Sequence, residues 1–384
     1  MRKILLVGAA LSGCTGYDYV QIHESFDIDA EARAALADDG VVVAASADAL
    51  FVGDGTAAAS TIDLAALDLE ITASNAHRPV QVGDTGDLVL VADRGAVMGC
   101  GGGGRGAYAL TTSGGPATTL VEHCDGPGAR VGPNIAMNAS GTVAVSDIVN
   151  GAGAVQRGPV AGPLAVLRSG TGEFYNTSGI DIAADGRVAV HMEYFDGFAG
   201  GLMRGTLAFD TPEQAKADID TAVEKLGIGS QPPHAIAPDG LVAFSMNSSF
   251  TLDIGGTMYP FVAGVYVANP TQFNTPKDLE LVADHTGPYC RFGAVDIADG
   301  GAVVFEAELD AGSNCGTPFW DGLFTGADPD ADVVVARGDA DLGAHQYFDG
   351  VRLGEINAAG QIAFVTTYSE PLVAPIFVWR ADPS

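Results

Sequence analysis

The phrase INAAGQIAF, residues 356–364, decides the fold, because variants of it recur six more times along the 384-residue chain. When the copies are aligned, each one places a glycine at the same position, and successive glycines are 45 to 61 residues apart. These turn glycines are Gly40, Gly86, Gly141, Gly186, Gly240, Gly301 and Gly360. Self-similarity at such intervals indicates one supersecondary unit that is used repeatedly.

Each copy predicts a hairpin. The four residues that end at the glycine begin with Asn, Ala or Gly, and Pro238 stands second in one copy, which are preferences of a type I turn. The strand after the turn is apolar on both faces, with Ile362 and Phe364 on one and Ala363 and Val365 on the other. A strand of this kind is buried between two layers.

Two further strand signals follow each hairpin, for example residues 321–326 and 331–339 in the sixth copy. The sequence therefore predicts an all-β fold, a seven-bladed β-propeller of four-stranded blades. The last unit supplies three strands, so we expect residues 17–27 to complete the last blade as its fourth strand. Residues 210–227 interrupt the fourth unit and predict a short helix, because Thr211, Pro212 and Gln214 fit a capping box.

The N-terminal segment is interpreted as a targeting signal. It has a basic start, an apolar run too short to span a bilayer, and the ending Leu-Ser-Gly-Cys at residues 11–14. This ending resembles the lipobox of bacterial lipoproteins, which implies that Cys14 is lipidated and anchors the protein to a membrane of the bacterial cell envelope. Thr15 after that cysteine implies, by the same resemblance, the outer membrane. Residues 1–14 are then a lipoprotein signal peptide and residues 15–384 a single propeller domain; an ordinary secretory signal is the alternative.

The charge balance excludes one class of partner. The chain has 48 acidic and 18 basic side chains, a formal net charge of −30. Such a surface repels phosphate backbones, so we expect no nucleic acid partner. It attracts cations and keeps a protein soluble.

Four cysteines follow Cys14, namely Cys100, Cys124, Cys290 and Cys315. An even number in an exported chain predicts two disulfides, although four cysteines allow three pairings. In four-stranded blades all four fall in loops on one face, where Cys100 with Cys124 would join loops of one blade and Cys290 with Cys315 would join two blades. A zinc site is the alternative, but the CxxC spacing typical of such sites is missing from the sequence.

Histidines and acids on that same face are candidate ligands of calcium or another divalent cation, or groups for acid–base chemistry. The histidines lie 15 to 18 residues before their repeat glycines; they are His23, His123, His285 and His345. They belong to different predicted blades, so all four cannot bind one ion, and polar loop composition is the alternative. Asp328, Asp330 and Asp332 alternate as in a calcium loop, but the segment is too short for the twelve-residue loop, and an acidic turn is the alternative.

The repeated phrase resembles the NxxGxxAF tandem repeats of the bacterial choice-of-anchor repeat proteins, a surface-associated family. Asn357, Gly360, Ala363 and Phe364 match the motif fully, and Asn138, Gly141 and Ala144 match it in part. The resemblance implies a repeat fold with an exchangeable anchor, here a lipid, and it supplies no catalytic residues.

Two functions follow from these observations. The favoured one is a membrane-anchored, non-catalytic binding or scaffold module whose loop face binds a protein, a glycan or a cation. The alternative is a metal-assisted hydrolase or lyase that acts on an extracellular polymer or phosphoester through the histidines and acids of that face.

The anchor hypothesis can be tested by replacing Cys14 with serine in the full-length chain expressed in a bacterium. We expect the parent protein in the membrane fraction and the C14S variant in the soluble fraction, because the serine cannot carry the acyl chains that hold the domain on the bilayer. Recovery of both proteins in the same fraction would contradict the hypothesis.

Overall fold

The structure is a computed structural model that describes most of the chain. It covers residues 16–25, 34–71, 79–97, 99–100, 102–124, 129–149, 152–169, 174–196, 201–209, 234–247, 249–254, 257–269, 279–310, 320–368 and 375–384. Within these residues the chain is built from β-strands, with 3-10 helices at Ala65–Leu67, Asp299–Gly301 and Ala340–His345. The prediction of an all-β fold is confirmed. In the described part of the chain, no helix has both the length and the apolar character needed to cross a membrane.

The first half of the chain forms four antiparallel sheets, numbered here in chain order. Sheet 1 contains β2 (Ala35–Leu36), β3 (Val42–Ala45), β4 (Ala49–Gly53) and β5 (Ser60–Asp63). Sheet 2 contains β6 (Leu69–Glu70), β7 (Val80–Val82), β8 (Asp87–Arg94), β9 (Gly104–Thr111) and β10 (Thr118–Cys124), and β6 and β7 both pair with β8. Sheet 3 contains β11 (Ala129–Met137), β12 (Thr142–Val149), β13 (Ala152–Pro159) and β14 (Ala165–Ser169). Sheet 4 contains β15 (Phe174–Ile182), β16 (Val188–Asp196) and β17 (Gly201–Phe209).

Three further sheets follow. Sheet 5 contains β18 (His234–Ile236), β19 (Val242–Met246), β22 (Gly264–Ala268) and β23 (Glu280–Asp284). Sheet 6 contains β24 (Tyr289–Ile297), β25 (Val303–Leu309), β26 (Gly322–Phe324) and β27 (Val333–Ala336). Sheet 7 contains β28 (Gly350–Ile356), β29 (Ile362–Thr367), β30 (Ile376–Pro383) and the N-terminal β1 (Tyr17–Ser25).

Several features depart from the predicted pattern of four strands per unit. Sheet 2 has a fifth strand, β6, and sheet 4 has three strands among the described residues. A separate hairpin of β20 (Phe250–Ile254) and β21 (Thr257–Phe261) is inserted between the second and third strands of sheet 5. The helix predicted within residues 210–227 lies outside the described residues.

All seven repeat glycines occupy the same turn between the first and second strands of their sheets. Each has a positive φ, from 74° at Gly141 to 91° at Gly240. In every copy the glycine N–H donates to the carbonyl three residues earlier, and the first turn residue donates to the carbonyl after the glycine. Glycine adopts this left-handed conformation without strain, so the repeated glycine is explained by the turn.

The asparagine of the motif connects neighbouring sheets. Asn357 is buried, and its Oδ1 accepts the N–H groups of Ala359 and Gln361 at 3.1 and 3.0 Å. Its Nδ2 donates to the carbonyl of Ala37 in the equivalent turn of sheet 1, at 3.0 Å. Asn138 repeats the arrangement, because its Nδ2 donates to Ala183 O in the turn of sheet 4 at 2.9 Å. One side chain therefore fixes its own turn and the position of the next one.

The core lies between the sheets, as the doubly apolar strands predicted. On β29, Ile362 and Phe364 pack in a cluster shared with sheet 6, and Ala363 and Val365 pack in a cluster shared with sheet 1. All four side chains are at most 1% exposed. Burying a large apolar side chain contributes about 1.5–3 kcal/mol, so these layers supply most of the attraction between sheets.

The two ends of the described chain meet in sheet 7. β1 pairs with β30 in antiparallel register from Tyr17 opposite Pro383 to Ser25 opposite Ile376, so the predicted pairing of residues 17–27 with the last strand is observed over Tyr17–Ser25. A second link involves Glu355 on β28, whose Oε2 accepts Leu36 N of sheet 1 at 2.8 Å, while its Oε1 accepts from Gln81 of sheet 2.

Replacing Asn357 with alanine should destabilise the fold by about 2 kcal/mol, because buried N–H groups and the Ala37 carbonyl lose their partner. An N357D variant keeps the two acceptor bonds of the turn but cannot donate to Ala37 or to Gln361 Oε1, so it separates the acceptor role of the side chain from its donor role. The measurement is chemical denaturation, with A358S as the control at an exposed turn position. An N357A variant within about 0.5 kcal/mol of A358S would contradict this role.

Candidate functional site

We call the end of the sheets opposite the repeat turns the loop face. It carries the connections from second to third strands and those from one sheet to the next, which include the inserted hairpin and two of the 3-10 helices. The predicted cysteines and histidines that the structure describes all lie at this end of their sheets.

One of the two expected disulfides is seen in full. Cys100, in the loop between β8 and β9, is bonded to Cys124 at the end of β10, with a Cα–Cα distance of 5.4 Å. Cys290 on β24 is also disulfide-bonded. Cys315 and Cys14 lie outside the described residues. The first bridge fixes the glycine-rich loop of residues 99–104 against the edge strand of its own sheet.

The four histidines lie in separate local environments. The ring of His23 stacks on Phe51 with centroids 4.0 Å apart, and burial lowers the pKa of His23 against the opposing effect of Glu24. His123 Nε2 lies 3.0 Å from Oδ2 of the fully buried Asp147, so this imidazole joins sheets 2 and 3.

The other two histidines contact carbonyl and aromatic groups. His285 Nδ1 lies 3.1 Å from the Ala263 carbonyl, and the ring of His345 lies 4.1 Å from that of Phe377. In the residues that the structure describes, three or more His, Cys, Asp or Glu side chains do not gather anywhere in a geometry that could hold a metal ion.

The acidic segment Asp328–Asp332 forms the turn between β26 and β27. Asp328 Oδ1 accepts the N–H groups of Asp330 and Ala331 at 3.0 and 3.3 Å, and Asp332 Oδ2 accepts Asp328 N at 2.9 Å. The carboxylates of Asp328 and Asp332 therefore bond backbone groups of their own turn.

A cleft of about 720 Å³ opens on the loop face between sheets 1 and 2. One wall comes from the turn between β3 and β4 and from the 3-10 helix at 65–67; the other comes from the end of β8 and the loop that Cys100 closes. Four carboxylates and one guanidinium line it, from Asp48, Asp68, Glu70, Asp93 and Arg94. Ala47, Ala65 and Leu69 add apolar surface, so the cleft is strongly acidic over a partly apolar lining.

The guanidinium of Arg94 is held in place. Its Cζ lies 4.5 Å from the ring centroid of Tyr108, and its Nη1 lies 3.2 Å from Glu122 Oε1 and 3.4 Å from Thr119 Oγ1. The Tyr108 hydroxyl donates to the same Glu122 oxygen at 2.5 Å. Burial, followed by this contact with Glu122, raises the pKa of Tyr108. Tyr108 therefore stays protonated and keeps Glu122 oriented towards Arg94.

A row of charged side chains crosses the loop-face end of sheet 6. Arg291 pairs in register with Glu308, and its guanidinium stacks on Trp320 at 4.6 Å. Glu308 is 2% exposed, and Asp321 lies beside it and accepts Leu309 N at 3.0 Å. Burial, and then the charge of Glu308, raise the pKa of Asp321. The neighbouring Glu306 has a structural role, because it accepts Ala294 N and Leu353 N at 2.9 and 2.8 Å.

The residues that line the cleft were not among the sequence candidates. Asp48 and Asp68 come from two separate connections and Arg94 from the end of β8, and each stands in a segment without a recognisable motif.

Replacing Asp321 with asparagine should stabilise the protein at pH 7 by up to about 1 kcal/mol, because it removes a charge that burial and Glu308 disfavour. With a folded-state pKa above the unfolded one, the stability contributed by Asp321 is present below its unfolded pKa and is lost as the pH rises through the folded value. The gain of D321N in melting temperature should therefore shrink from pH 7 to pH 4. D341N, which removes an exposed carboxylate of the same face, is the control; an equal gain at both pH values would contradict the assignment.

Comparisons with known proteins bear on the fold. A family of unknown function (DUF7453) matches residues 227–375, which include sheets 5 and 6. No curated protein matches the chain in sequence.

Among solved structures, a prolyl endopeptidase is similar over 93% of this chain and 48% of its own, with 10% identity and a TM-score of 0.50. Prolyl oligopeptidase B from Galerina marginata is similar over 94% of this chain and 50% of its own, with 9% identity and a TM-score of 0.48. The β-propeller domain of the Trilobed protease from Pyrococcus furiosus is similar over 78% of this chain and 79% of its own, with 9% identity and a TM-score of 0.43. The chain spans about half the length of the prolyl endopeptidase. Identities this low show the fold alone, an all-β structure of the β-propeller type.

Proposed function

We propose that this protein is a non-catalytic binding module of the cell envelope, and that its cleft between sheets 1 and 2 binds a small, positively charged ligand. The observation that carries the proposal is the lining of the cleft, to which four acidic residues and one arginine contribute among the described residues. The volume of about 720 Å³ is within the range of small-molecule sites. Of the protein, glycan or cation considered from the sequence, the cation is the class that this charge favours.

We further infer that the seven sheets are the blades of a closed, seven-bladed propeller. In support, the first strands of consecutive sheets contact one another in the order β2, β7, β11, β15, β18, β24 and β28, and β28 also contacts β2. The pairing of β1 with β30 and the bond from Asn357 to Ala37 lie at the same junction. The lipid anchor at Cys14, the outer-membrane location and membership of the NxxGxxAF repeat family remain predictions of the sequence.

One observation favours the alternative of a metal-assisted hydrolase or lyase. The buried Asp147 holds Nε2 of His123, and a carboxylate in this position orients histidines that act as metal ligands or bases. The His123 side chain is 22% exposed, and Asp147 already bonds its Nε2. Nδ1 is therefore the ring nitrogen that would bind a metal ion or accept a proton. Calcium and zinc are therefore included as probes in the experiment below.

Cadaverine, a linear diamine, tests the proposed function by isothermal titration at low ionic strength. We expect saturable binding that weakens as salt is added. A D68N/E70Q variant should bind roughly fivefold more weakly for each carboxylate lost, since two unit charges about 4 Å apart in water attract by about 1 kcal/mol.

The matched control is D299N, which removes an exposed carboxylate from a repeat turn at the other end of the sheets. It should bind cadaverine as the parent does. If cadaverine does not bind, or if D299N and D68N/E70Q weaken its binding equally, the cleft is not a cation site. If neither calcium nor zinc binds, the metal-assisted alternative is wrong.

A further inference from the structure

We propose that the ligand of the cleft is a zwitterion whose anionic group is held by Arg94 while its amino groups face the carboxylates. This inference rests on the proposed function, because it names the chemical class of the ligand for the same cleft. Amino acids and the ends of short peptides have this combination of charges.

The argument starts from the position of Arg94. It is the one basic residue among those that line the cleft, and its side chain is 20% exposed. In a purely cation-binding site a guanidinium would repel the ligand, at a cost that acidic neighbours only partly offset. Its presence in the lining therefore indicates that part of the ligand is negative.

The second step concerns how Arg94 is held. Glu122 and Thr119 both accept from Nη1, so these bonds leave Nη2 and Nε for other partners. The ring of Tyr108 covers one face of the guanidinium, and Tyr108 in turn fixes Glu122. The guanidinium of Arg94 is therefore ordered before a ligand binds. Its planar pair of N–H donors has the geometry that binds a carboxylate through two hydrogen bonds. Tyr108 and Glu122 act through Arg94 and are positioning residues.

The third step concerns the distribution of charge around the cleft. Asp48 lies in the turn between β3 and β4 of sheet 1, whereas Glu70 and Asp93 lie with Arg94 on the paired strands β6 and β8 of sheet 2. Asp68 lies in the connection between the two sheets. Residues of both signs therefore contribute to one cleft, and a ligand that carries both charges, on one amino acid or at the two ends of a short chain, can contact both. The apolar lining from Ala47, Ala65 and Leu69 suits the carbon atoms between them.

The test compares L-lysine with cadaverine, which has the same carbon chain and both amines but lacks the carboxylate. Net charge alone favours cadaverine, since it carries one more positive charge than lysine in an acidic cleft. We expect the reverse, with lysine bound about tenfold more tightly, because a charge-assisted hydrogen bond to Arg94 outweighs that difference.

Substitutions test whether the preference for lysine over cadaverine comes from Arg94. In R94Q the ratio of lysine to cadaverine affinity should fall to one or below while cadaverine affinity is kept or improved; E122Q should reduce the same ratio by loosening Arg94. R337Q, an exposed arginine of the loop face in sheet 6, should leave the ratio unchanged. Melting temperatures of the three variants show whether each one folds.

Two outcomes separate the hypotheses. If the parent protein binds cadaverine as tightly as lysine or more tightly, the zwitterion is wrong and the cation site stands. If neither compound binds, the cleft is not a site for organic cations and both proposals are wrong for amines. The comparison in the parent protein needs no variant, so a variant that fails to fold leaves the test decisive.

Discussion

The structure depends on one constraint, which is that a strand such as β29 is buried on both faces between neighbouring sheets. Phe364 on one face of β29 and Val365 on the other are both buried, and they belong to different inter-sheet clusters. Polar groups at these junctions cannot reach water and need partners in the protein. The repeated asparagine meets that need, because it satisfies its own turn and then donates across the junction to the next one.

Acidic side chains on the first strands also bond backbone groups of the neighbouring sheet. Asp181 accepts Ile236 N of the next sheet at 3.0 Å, and Asp296 accepts Ile356 N at 2.8 Å. Glu355 accepts Leu36 N in the same way. An edge N–H that is bonded by a carboxylate of the preceding sheet is closed to further strand pairing. Part of the acidic excess of this chain is therefore structural, and composition alone does not measure how much of it serves a ligand.

The parts of the fold that could be predicted were those that repeat. The glycine with a positive φ and the doubly apolar second strand recur seven times, so each copy supports the interpretation of the others. The bridging carboxylates also repeat, because Asp181, Asp296 and Glu355 each stand five residues before a repeat glycine and directly before an isoleucine. The sequence shows this recurrence in three of the seven copies but does not show that the side chain bonds the next sheet. The hairpin β20–β21 was missed because an insertion in one unit has no copy elsewhere in the chain. The cleft needs residues from three loops, and their proximity follows from the packing of sheets 1 and 2 rather than from any local pattern.

The two ends of the sheets are under different constraints, and this difference decides where specificity can reside. At the repeat turns, the left-handed glycine and the bonds between neighbouring turns leave little freedom for variation. At the loop face, the connections differ in length from sheet to sheet. This face carries the three disulfide-bonded cysteines that the structure describes, the inserted hairpin and the cleft. The Cys100–Cys124 bridge acts on the glycine-rich loop between β8 and β9. A run of glycines has too much conformational freedom to form the wall of a cleft by itself. The covalent link to the neighbouring edge strand reduces that freedom. Arg94 lies directly before this loop, at the end of a strand whose preceding residues are buried, so a rigid strand places the guanidinium while the tethered loop shapes the space in front of it.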